Sequence, residues 1–187
     1  MAANPSKLPA VVLTIGHSNR PLDEFLQMLT AHRVTLLADV RKMPRSRTNP
    51  QFNGDSLAES LAEIDIGYVS FLALGGLRRG RTDSPNGAWQ NASFRAYADY
   101  MLTPEFDAAL QEFLQHAGTQ RAALMCAEAV PWRCHRSLIA DALVVRGISV
   151  EHIMSATKSN PHTLKPWAHV EGTRITYPPS SAAGNLF

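Results

Sequence analysis

The sequence has few cysteines and no long apolar segment, and each shortage excludes a class of protein. Two cysteines among 187 residues cannot form a disulfide framework, and in a reducing compartment both would be free thiols. Their C-x7-C spacing also differs from the close C-x2-C pairs that bind zinc. No run approaches the ~20 apolar residues of a membrane helix, and the first residues lack a signal-peptide pattern. We therefore expect a cytoplasmic protein with no membrane partner.

Net charge is also small, but the positive residues are unevenly distributed. A charge of +2 does not indicate a general polyanion-binding face. Two segments nevertheless concentrate arginine and lysine, "RKMPRSR" at residues 41–47 and "LRRGR" at residues 77–81. This clustering favours a local anion site over binding along a whole face.

The composition that remains is ordinary for a globular domain. Hydrophobic residues make up 45% of the chain and charged residues 18%, and no repeat or linker interrupts the sequence. A chain of this length can bury a hydrophobic core without disulfide bonds. The sequence also requires no cofactor. We predict one domain over residues 1–187, with a disordered start at 1–9 and a proline-rich tail at 156–187 that wraps the surface.

Strand and helix patterns alternate along the chain. Apolar runs predict strands at 11–15, 34–40, 68–74, 121–127 and 149–154, with a weaker strand signal in the tail at "TRITY". Helical spacing of apolar residues predicts helices at 21–33, 55–64, 94–101, 104–118 and 134–147. Asn19 and Thr103 are the predicted caps of the first and fourth helices. The alternation predicts an α/β fold, a single three-layer domain with a mostly parallel sheet of about five strands and helices on both faces.

Polar residues crowd the predicted carboxyl ends of the strands, which is where open α/β sheets bind ligands. His17 and Asn19 follow the first strand, Asp39 lies at the end of the second, and Glu128 follows the fourth. The long connection at residues 75–91 is expected to cover the site, because loops of this length are often functional.

Four motifs in this order resemble those of the domain of unknown function 488 (DUF488) family. They are "TIGHSN", "DVRKMPRSRTNPQF", "LGG" and "LMCAEAVPWRCHRSLIADAL" followed by "VEHI", and the resemblance extends from about Leu13 to Tyr177. It implies an α/β domain and no established reaction. The positions that it marks best are His17, Asp39, Arg41, Arg47, Cys126, Glu128, Cys134, His135 and Arg136.

Three residues are candidates for catalysis. Glu128 lies just past an apolar strand, where partial desolvation would suit it to general acid or base work; an ion pair with Arg133 or Arg136 is the structural alternative. His17 is a proton carrier, a metal ligand or a donor to phosphate, or it only fixes its loop. Cys134 lies near a helix start, where the dipole favours a thiolate nucleophile.

Neighbouring polar residues are predicted to bind an anion. The planar fork of arginine suits phosphate and carboxylate groups, although such arginines are also found as solvated surface charges. Asp39 either holds Arg41 or a loop amide in place, or orients a cation or a substrate hydroxyl. The predicted anion-binding set is Asp39, Arg41, Arg47, Arg136, His135 and Asn19.

The two cysteines and the histidine beside one of them allow several interpretations. Neighbours in a helix point about 100° apart, so His135 is not expected to act as the base for Cys134. Cys126 lies inside an apolar strand and is interpreted as a packing residue. His17, Cys126, Cys134 and His135 would form a permitted zinc-binding set, but their spacing argues against it, and we predict no metal site.

Three functions remain open at this point. The leading hypothesis is an enzyme, a hydrolase or transferase, with a pocket for a phosphate-bearing small molecule or nucleotide. The first alternative is a nucleic-acid-binding or regulatory module in which Trp89 or Trp132 stacks on bases. The second alternative is a thiol-based redox protein that uses Cys126 and Cys134. The sequence gives neither the substrate nor the oligomeric state.

Overall fold

The apolar strands of this chain form one central sheet with six members. The computed structural model describes residues 8–179. The strands are β1 (Val11–Gly16), β2 (Leu36–Asp39), β3 (Gly67–Ser70), β4 (Ala122–Cys126), β5 (Ser149–Ser155) and β6 (Lys158–Pro161). Their order in the sheet is β3-β2-β4-β1-β5-β6, and every pair except β5–β6 is parallel. The predicted mostly parallel sheet is therefore confirmed, with one antiparallel edge strand that the sequence did not indicate.

Helices cover both faces of the sheet and complete the three predicted layers. They are α1 (Leu22–Ala31), α2 (Gly54–Ala62), α3 (Ala92–Tyr100), α4 (Pro104–Ala117) and α5 (Arg136–Val144). Side chains alternate along a strand, so Leu13 and Ile15 of β1 pack with α1 and α2, while Val12 faces the core shared with α3, α4 and α5. None of the helices within residues 8–179 is long and apolar enough to span a membrane.

Helix capping follows the prediction at one of two positions. The hydroxyl of Thr103 accepts a hydrogen bond from a backbone amide in the first turn of α4, as predicted. Asn19 does not cap α1; Pro21 occupies that position and no side chain caps the helix. The predicted cap is wrong because the chain makes an additional turn between β1 and α1, where Ser18 has a positive φ of 51°.

The third strand is shorter than the predicted span of 68–74. It ends at Ser70, and a single 3₁₀ turn follows at Leu72–Leu74. This turn buries Phe71 and Leu74 in the core and leaves Leu72 46% exposed. A continuous strand would place alternate residues on opposite faces of the sheet instead.

The tail has more regular structure than the sequence indicates. Besides β6 it forms a hairpin of β7 (His169–Glu171) and β8 (Arg174–Thr176). Tyr177 is fully buried, and its hydroxyl donates a 2.7 Å hydrogen bond to Asp141 of α5. Up to residue 179 the tail wraps the domain and is anchored to it. Most of the predicted disordered start at 1–9, and the part of the predicted wrapping tail from residue 180 onward, lie outside the described residues.

The connections of β1 and β4 create a crevice at the carboxyl ends of these adjacent strands. The chain leaves β1 toward α1 on one face of the sheet, and it leaves β4 toward α5 on the opposite face. Loops that diverge in this way open a ligand-sized space at the sheet edge. Most of the sequence-predicted site residues line this crevice.

Candidate functional site

Two cavities open at the carboxyl end of the sheet and share part of their lining. The first, which we call the cysteine cavity, has a volume of about 430 Å³ and is lined by Cys126, Cys134 and His135. The second, the polar cavity, has a volume of about 420 Å³ and is lined by the loops after β1 and β2. Arg41 and Glu128 line both cavities. The two spaces are therefore neighbouring parts of one crevice.

The cysteine cavity contains a compact cluster of two thiols and an imidazole. Cys126 is the last residue of β4, and the loop after it returns through a short 3₁₀ turn to Cys134 and His135. Nδ1 of His135 lies 3.9 Å from Sγ of Cys126 and 3.7 Å from Sγ of Cys134. Nε2 of the same ring is 3.1 Å from the carbonyl oxygen of Val40, which can only accept. The imidazole therefore donates through Nε2, and Nδ1 is the nitrogen that faces both sulfurs.

The expectation that helix geometry separates His135 from Cys134 is wrong. Helix α5 begins only at Arg136, and Cys134 has an extended backbone with φ −130° and ψ 142°. Extended geometry at Cys134 and a turn at His135 bring sulfur and imidazole to the same side. The sequence argument fails because it begins the helix two residues too early.

Electrostatics distinguish the two thiols. A hydrogen bond from Cys134 lowers the pKa of Cys126, and His135 and Arg136 act in the same direction against the effect of burial. The same interaction with Cys126, together with burial, raises the pKa of Cys134. These shifts favour deprotonation of Cys126 over that of Cys134, and the nucleophilic role predicted for Cys134 stays a prediction. Cys126 also has a polar role beyond the packing expected from its strand.

The imidazole of His135 is held between a glycine and a tyrosine. A Cβ atom added to Gly76 would lie 2.5 Å from Nδ1 of His135, so only glycine allows the backbone to approach this closely. On another side the ring of Tyr97 lies 5.0 Å from the imidazole, and its hydroxyl donates to the carbonyl of Leu74. Gly76 and Leu77 also line the cavity, so the start of the long 75–91 connection forms one of its walls.

Arg136 is engaged with the protein backbone. Its side chain is 1% exposed and donates to the carbonyls of Glu128 (2.5 Å) and Ala129 (2.9 Å). These bonds fix the loop that follows β4. Its Nε has no hydrogen-bond partner within the described part of the chain. The loop carbonyls at the end of its guanidinium give Arg136 a positioning role, and the anion-binding role stays a prediction.

A second buried network joins the first two strand ends. The Arg41 guanidinium donates to both carboxylate oxygens of Asp39, at 2.9 Å from Nε and 2.5 Å from Nη2. It also donates to the carbonyl of Phe52 (2.8 Å) and to Nε2 of His17 (3.2 Å). The hydroxyl of Tyr68 donates to Asp39 as well. Asp39 thus holds Arg41, which is the structural one of its two predicted roles.

Both ring nitrogens of His17 take part in hydrogen bonds. Nδ1 donates to the carbonyl of Ser18 (2.8 Å), so Nε2 is the nitrogen that accepts from Arg41. The ring stacks on Phe52 with 4.4 Å between centroids. Burial lowers the pKa of His17, and the bond to Ser18 opposes this effect. A neutral, fully bonded imidazole positions Arg41 and the loop around it.

Glu128 is exposed to solvent at the boundary of the two cavities. The partial desolvation on which its acid–base role was based is therefore absent. Arg136 contacts its backbone carbonyl and leaves the carboxylate free to point into the crevice. Gly16 supports this position, since a Cβ there would lie 1.9 Å from the carbonyl oxygen of Glu128.

The remaining predicted residues differ in their relation to the cavities. Asn19 is exposed and lines the polar cavity, where its side chain accepts a hydrogen bond from Ser18. Arg47 is exposed and lines neither cavity, although Arg45 lines the polar one. The cysteine cavity also contains residues from segments that the sequence marks only as a group, which are Lys42, Met43, Gly76 and Leu77. Ser93 and Phe94 complete the lining, and the sequence gives no indication of them, because they lie far along the chain from the marked motifs.

The sequence spacing argues against a zinc site formed by His17, Cys126, Cys134 and His135. The structure nevertheless places three of these four residues close together. The ligand atoms of Cys126, Cys134 and His135 lie within 4.8 Å of one another. His17 does not join them, because its nitrogens bond to Ser18 and Arg41. C-x-x-C spacing is a rule for ligands on one short loop. Here the ligands come from a strand end and a helix start, which the fold brings together.

Comparison with known proteins gives one match. The family model described as "Domain of unknown function DUF488" matches residues 21–143, more than half of the 187-residue chain. The match includes β2, β3, β4 and nearly all of α5, and therefore the whole cysteine cluster. No curated protein and no solved structure matches the chain.

Proposed function

The chain belongs to the DUF488 family, a domain of unknown function, and from the site that it builds we propose an enzyme that acts on a small anionic molecule. The observation that carries this proposal is the position of the cysteine–histidine cluster in the wall of a cavity large enough for a metabolite. Polar clusters of this kind are typical of active sites when they lie in the crevice of an α/β sheet. The reaction class is hydrolysis or group transfer.

The lining of the cysteine cavity indicates the chemical character of the substrate. Met43, Leu77 and Phe94 form apolar walls that suit a ring or a short carbon chain. Lys42 and Arg133 line the same cavity and provide positive charge for a phosphate or carboxylate group. We infer a substrate with an apolar body and an anionic end, as in a nucleotide or an aryl phosphate.

The proposed chemistry divides among three groups. The cysteine cluster faces the reacting centre, and Glu128 at its border exchanges protons with the substrate or with water. Arg41 contributes positive charge from beneath both cavities, and Asp39 and His17 fix its orientation. In this assignment Asp39, His17 and Arg136 position the site without touching substrate.

A thermal-shift screen tests the substrate class. Nucleotides and sugar phosphates are compared with the matching nucleosides and sugars, which lack the anionic group. A ligand at 100 times its dissociation constant stabilises by about 2.7 kcal/mol, which raises Tm by several degrees. We expect shifts from the phosphorylated compounds alone. Equal shifts from the neutral compounds would contradict an anion pocket.

Variants locate the binding site and separate binding from turnover. Lys42→Ala and Arg133→Ala should weaken the best ligand, whereas Arg81→Ala should not, because Arg81 pairs with exposed Asp83 and lines neither cavity. Glu128→Gln should abolish turnover of that ligand and retain binding. Parallel loss of binding and turnover would reduce Glu128 to an architectural role.

Nucleic acid is the second candidate ligand, and one observation favours it. Trp132 is 62% exposed and is the chain neighbour of Arg133, which lines the cysteine cavity, and a base could stack on its ring. Affinity for a single-stranded oligonucleotide should then fall steeply with salt concentration. A flat salt response, or binding unchanged in Trp132→Ala, removes this candidate.

A further inference from the structure

We propose that Cys126, Cys134 and His135 bind one zinc ion, with the fourth coordination position open to the cysteine cavity. Two thiolates and one imidazole are a ligand set that zinc takes in catalytic sites. The proposal concerns the metal alone and does not depend on the substrate class proposed above.

The two sulfur–nitrogen separations are already close to those of a tetrahedral site. Zinc–sulfur bonds of about 2.3 Å and zinc–nitrogen bonds of about 2.0 Å at tetrahedral angles place sulfur and nitrogen about 3.5 Å apart. Nδ1 of His135 lies 3.7 Å and 3.9 Å from the two sulfurs, so both distances need a contraction of only a few tenths of an ångström. All three donor atoms lie within 4.8 Å of one another.

The surroundings of His135 are those of a metal-bound histidine. Ligand imidazoles usually donate their second ring N–H to a carboxylate or backbone carbonyl, which fixes the tautomer and orientation. Nε2 of His135 makes this bond to the carbonyl of Val40, so Nδ1 is the nitrogen that faces the sulfurs and would bind the ion. Gly76 and Tyr97 enclose the ring from other sides. The ligand is therefore oriented before any ion arrives.

Charge balance and ligand number indicate an open site. Two thiolates neutralise a divalent cation, so the buried complex carries no net charge. Within residues 8–179 the group of potential ligand atoms contains these three residues and no fourth. Structural zinc sites have four protein ligands, whereas catalytic sites have three and leave one position for water or substrate. All three residues line the cysteine cavity, so that position faces the proposed substrate space.

Cobalt provides the direct test, because cobalt(II) replaces zinc and absorbs light. Reduced protein stripped of metal with a chelator is titrated with Co²⁺ alone. We expect a thiolate-to-cobalt charge-transfer band that saturates at one equivalent and disappears when one equivalent of Zn²⁺ is added. Zinc should also slow the reaction of the two thiols with a disulfide reagent at least tenfold. Absence of the band together with unchanged thiol reactivity overturns the proposal.

Ligand variants identify the donors. Cys126→Ser and Cys134→Ser should each weaken Co²⁺ binding and reduce the charge-transfer intensity per ion. Loss of an outer partner of a ligand costs 10–100-fold in affinity, so we expect more than ~100-fold for His135→Gln. His169→Gln is the control, because His169 is exposed in the β7–β8 hairpin. Equal affinity of the His135 and His169 variants contradicts the assignment. If a variant fails to fold, the wild-type titration still decides.

The outcomes for metal and substrate are separable. One bound zinc per chain with no shift from any anionic compound supports the metal site and rejects the proposed substrate class. A ligand shift with neither cobalt band nor zinc protection of the thiols rejects the metal site and retains the substrate class.

Discussion

At the scale of single residues, the site depends on close approaches that side-chain chemistry does not reveal. The sequence indicates Cys126, Cys134 and His135 because these residue types carry reactive atoms. The carbonyl of Val40, which fixes the His135 tautomer, could not be predicted from residue type, because every residue has a carbonyl. Gly76 belongs to the "LGG" motif, which does not indicate what this glycine contacts. Its contact with His135 joins positions 59 residues apart in the chain, and a local pattern contains no such information.

Gly76→Ala should displace His135 without changing any of the three residues of the cysteine–histidine cluster. The added methyl group overlaps Nδ1 of His135 and must displace the imidazole from the sulfurs. We expect a loss of about 1–3 kcal/mol in the free energy of unfolding, typical of overpacking, and faster reaction of the cysteines with a thiol reagent. Denaturant unfolding and thiol kinetics measure the two effects.

Gly80→Ala is the matched control in the same connection. A Cβ at Gly80 would meet only Cβ of Ala96, at 3.8 Å, which is an ordinary contact. Its stability should be unchanged or increased by less than about 1 kcal/mol, since alanine restricts the unfolded chain. If both alanine variants behave alike, close packing of Gly76 on His135 is not what holds the ring.

Asp39→Asn tests the buried ion pair beneath the cavities. Asp39 is fully buried and Arg41 is 6% exposed, so the variant leaves a guanidinium without its counter-charge. Breaking such a pair costs about 3–5 kcal/mol. Asp83→Asn, which breaks the exposed pair with Arg81, should leave the free energy of unfolding unchanged. Similar unfolding curves for the two variants would show that Arg41 is compensated by other groups.

At the scale of elements, a chain of buried hydrogen bonds connects β1 and β5 to α5 and the tail. Thr14 contacts Nδ1 of His152 (2.7 Å), and Nε2 of His152 contacts Nδ1 of His162 (2.9 Å). His162 and Tyr177 both bond to Asp141, at 2.7 Å. The sequence predicts the strands and the helix, but not this chain, because its members are polar residues at positions that apolar periodicity leaves unassigned.

The buried chain makes stability depend on pH. Burial lowers the pKa of His152 from 6.5 to about 3, with help from the charge on His162. The unfolded chain therefore binds a proton that the folded protein excludes between these pH values. The stability that depends on neutral His152 is fully present above pH 6.5. The free energy of unfolding should decrease by up to about 1.4 kcal/mol per pH unit as the pH falls from 6.5 toward 3.

Denaturant unfolding between pH 7 and pH 4 measures this slope. His152→Gln removes the titrating group and should flatten this slope, with a lower free energy of unfolding at pH 7 because of the lost packing. His169→Gln is the control, because its exposed side chain lies in the hairpin away from the buried chain. An equal slope in wild type and His152→Gln would assign the pH dependence to other groups.

At the scale of the whole molecule, the number and direction of the parallel strands follow from the sequence, and their order does not. Alternation of strands and helices predicts parallel pairing for each βαβ unit. The position of β4 between β1 and β2 depends on how apolar faces that are distant in the sequence pack against one another. Since β4 carries Cys126 and ends beside Val40, the geometry of the site could not be predicted without that order.

Hydrogen exchange should reflect this arrangement. β4 is buried along its whole length and paired on both sides, so its amides should exchange only through global unfolding. The β7–β8 hairpin is mostly exposed and outside the central sheet, and should exchange first. Peptide-resolved mass spectrometry measures both rates. A hairpin as protected as β4 would mean that the tail opens only together with the core.

The insertion of β4 also has a consequence for synthesis on the ribosome. β1 and β2 leave the exit tunnel early, but in the native sheet they never touch, since β4 lies between them. Until residues 122–126 emerge, each therefore has an unpaired edge that is open to wrong partners. Cys126 is the last residue of β4, the strand that lies between β1 and β2, and Cys134 lies just before helix α5. The cysteine cluster thus forms only in a chain in which β4 has joined β1 to β2, and β5 and β6 are added to the sheet after it.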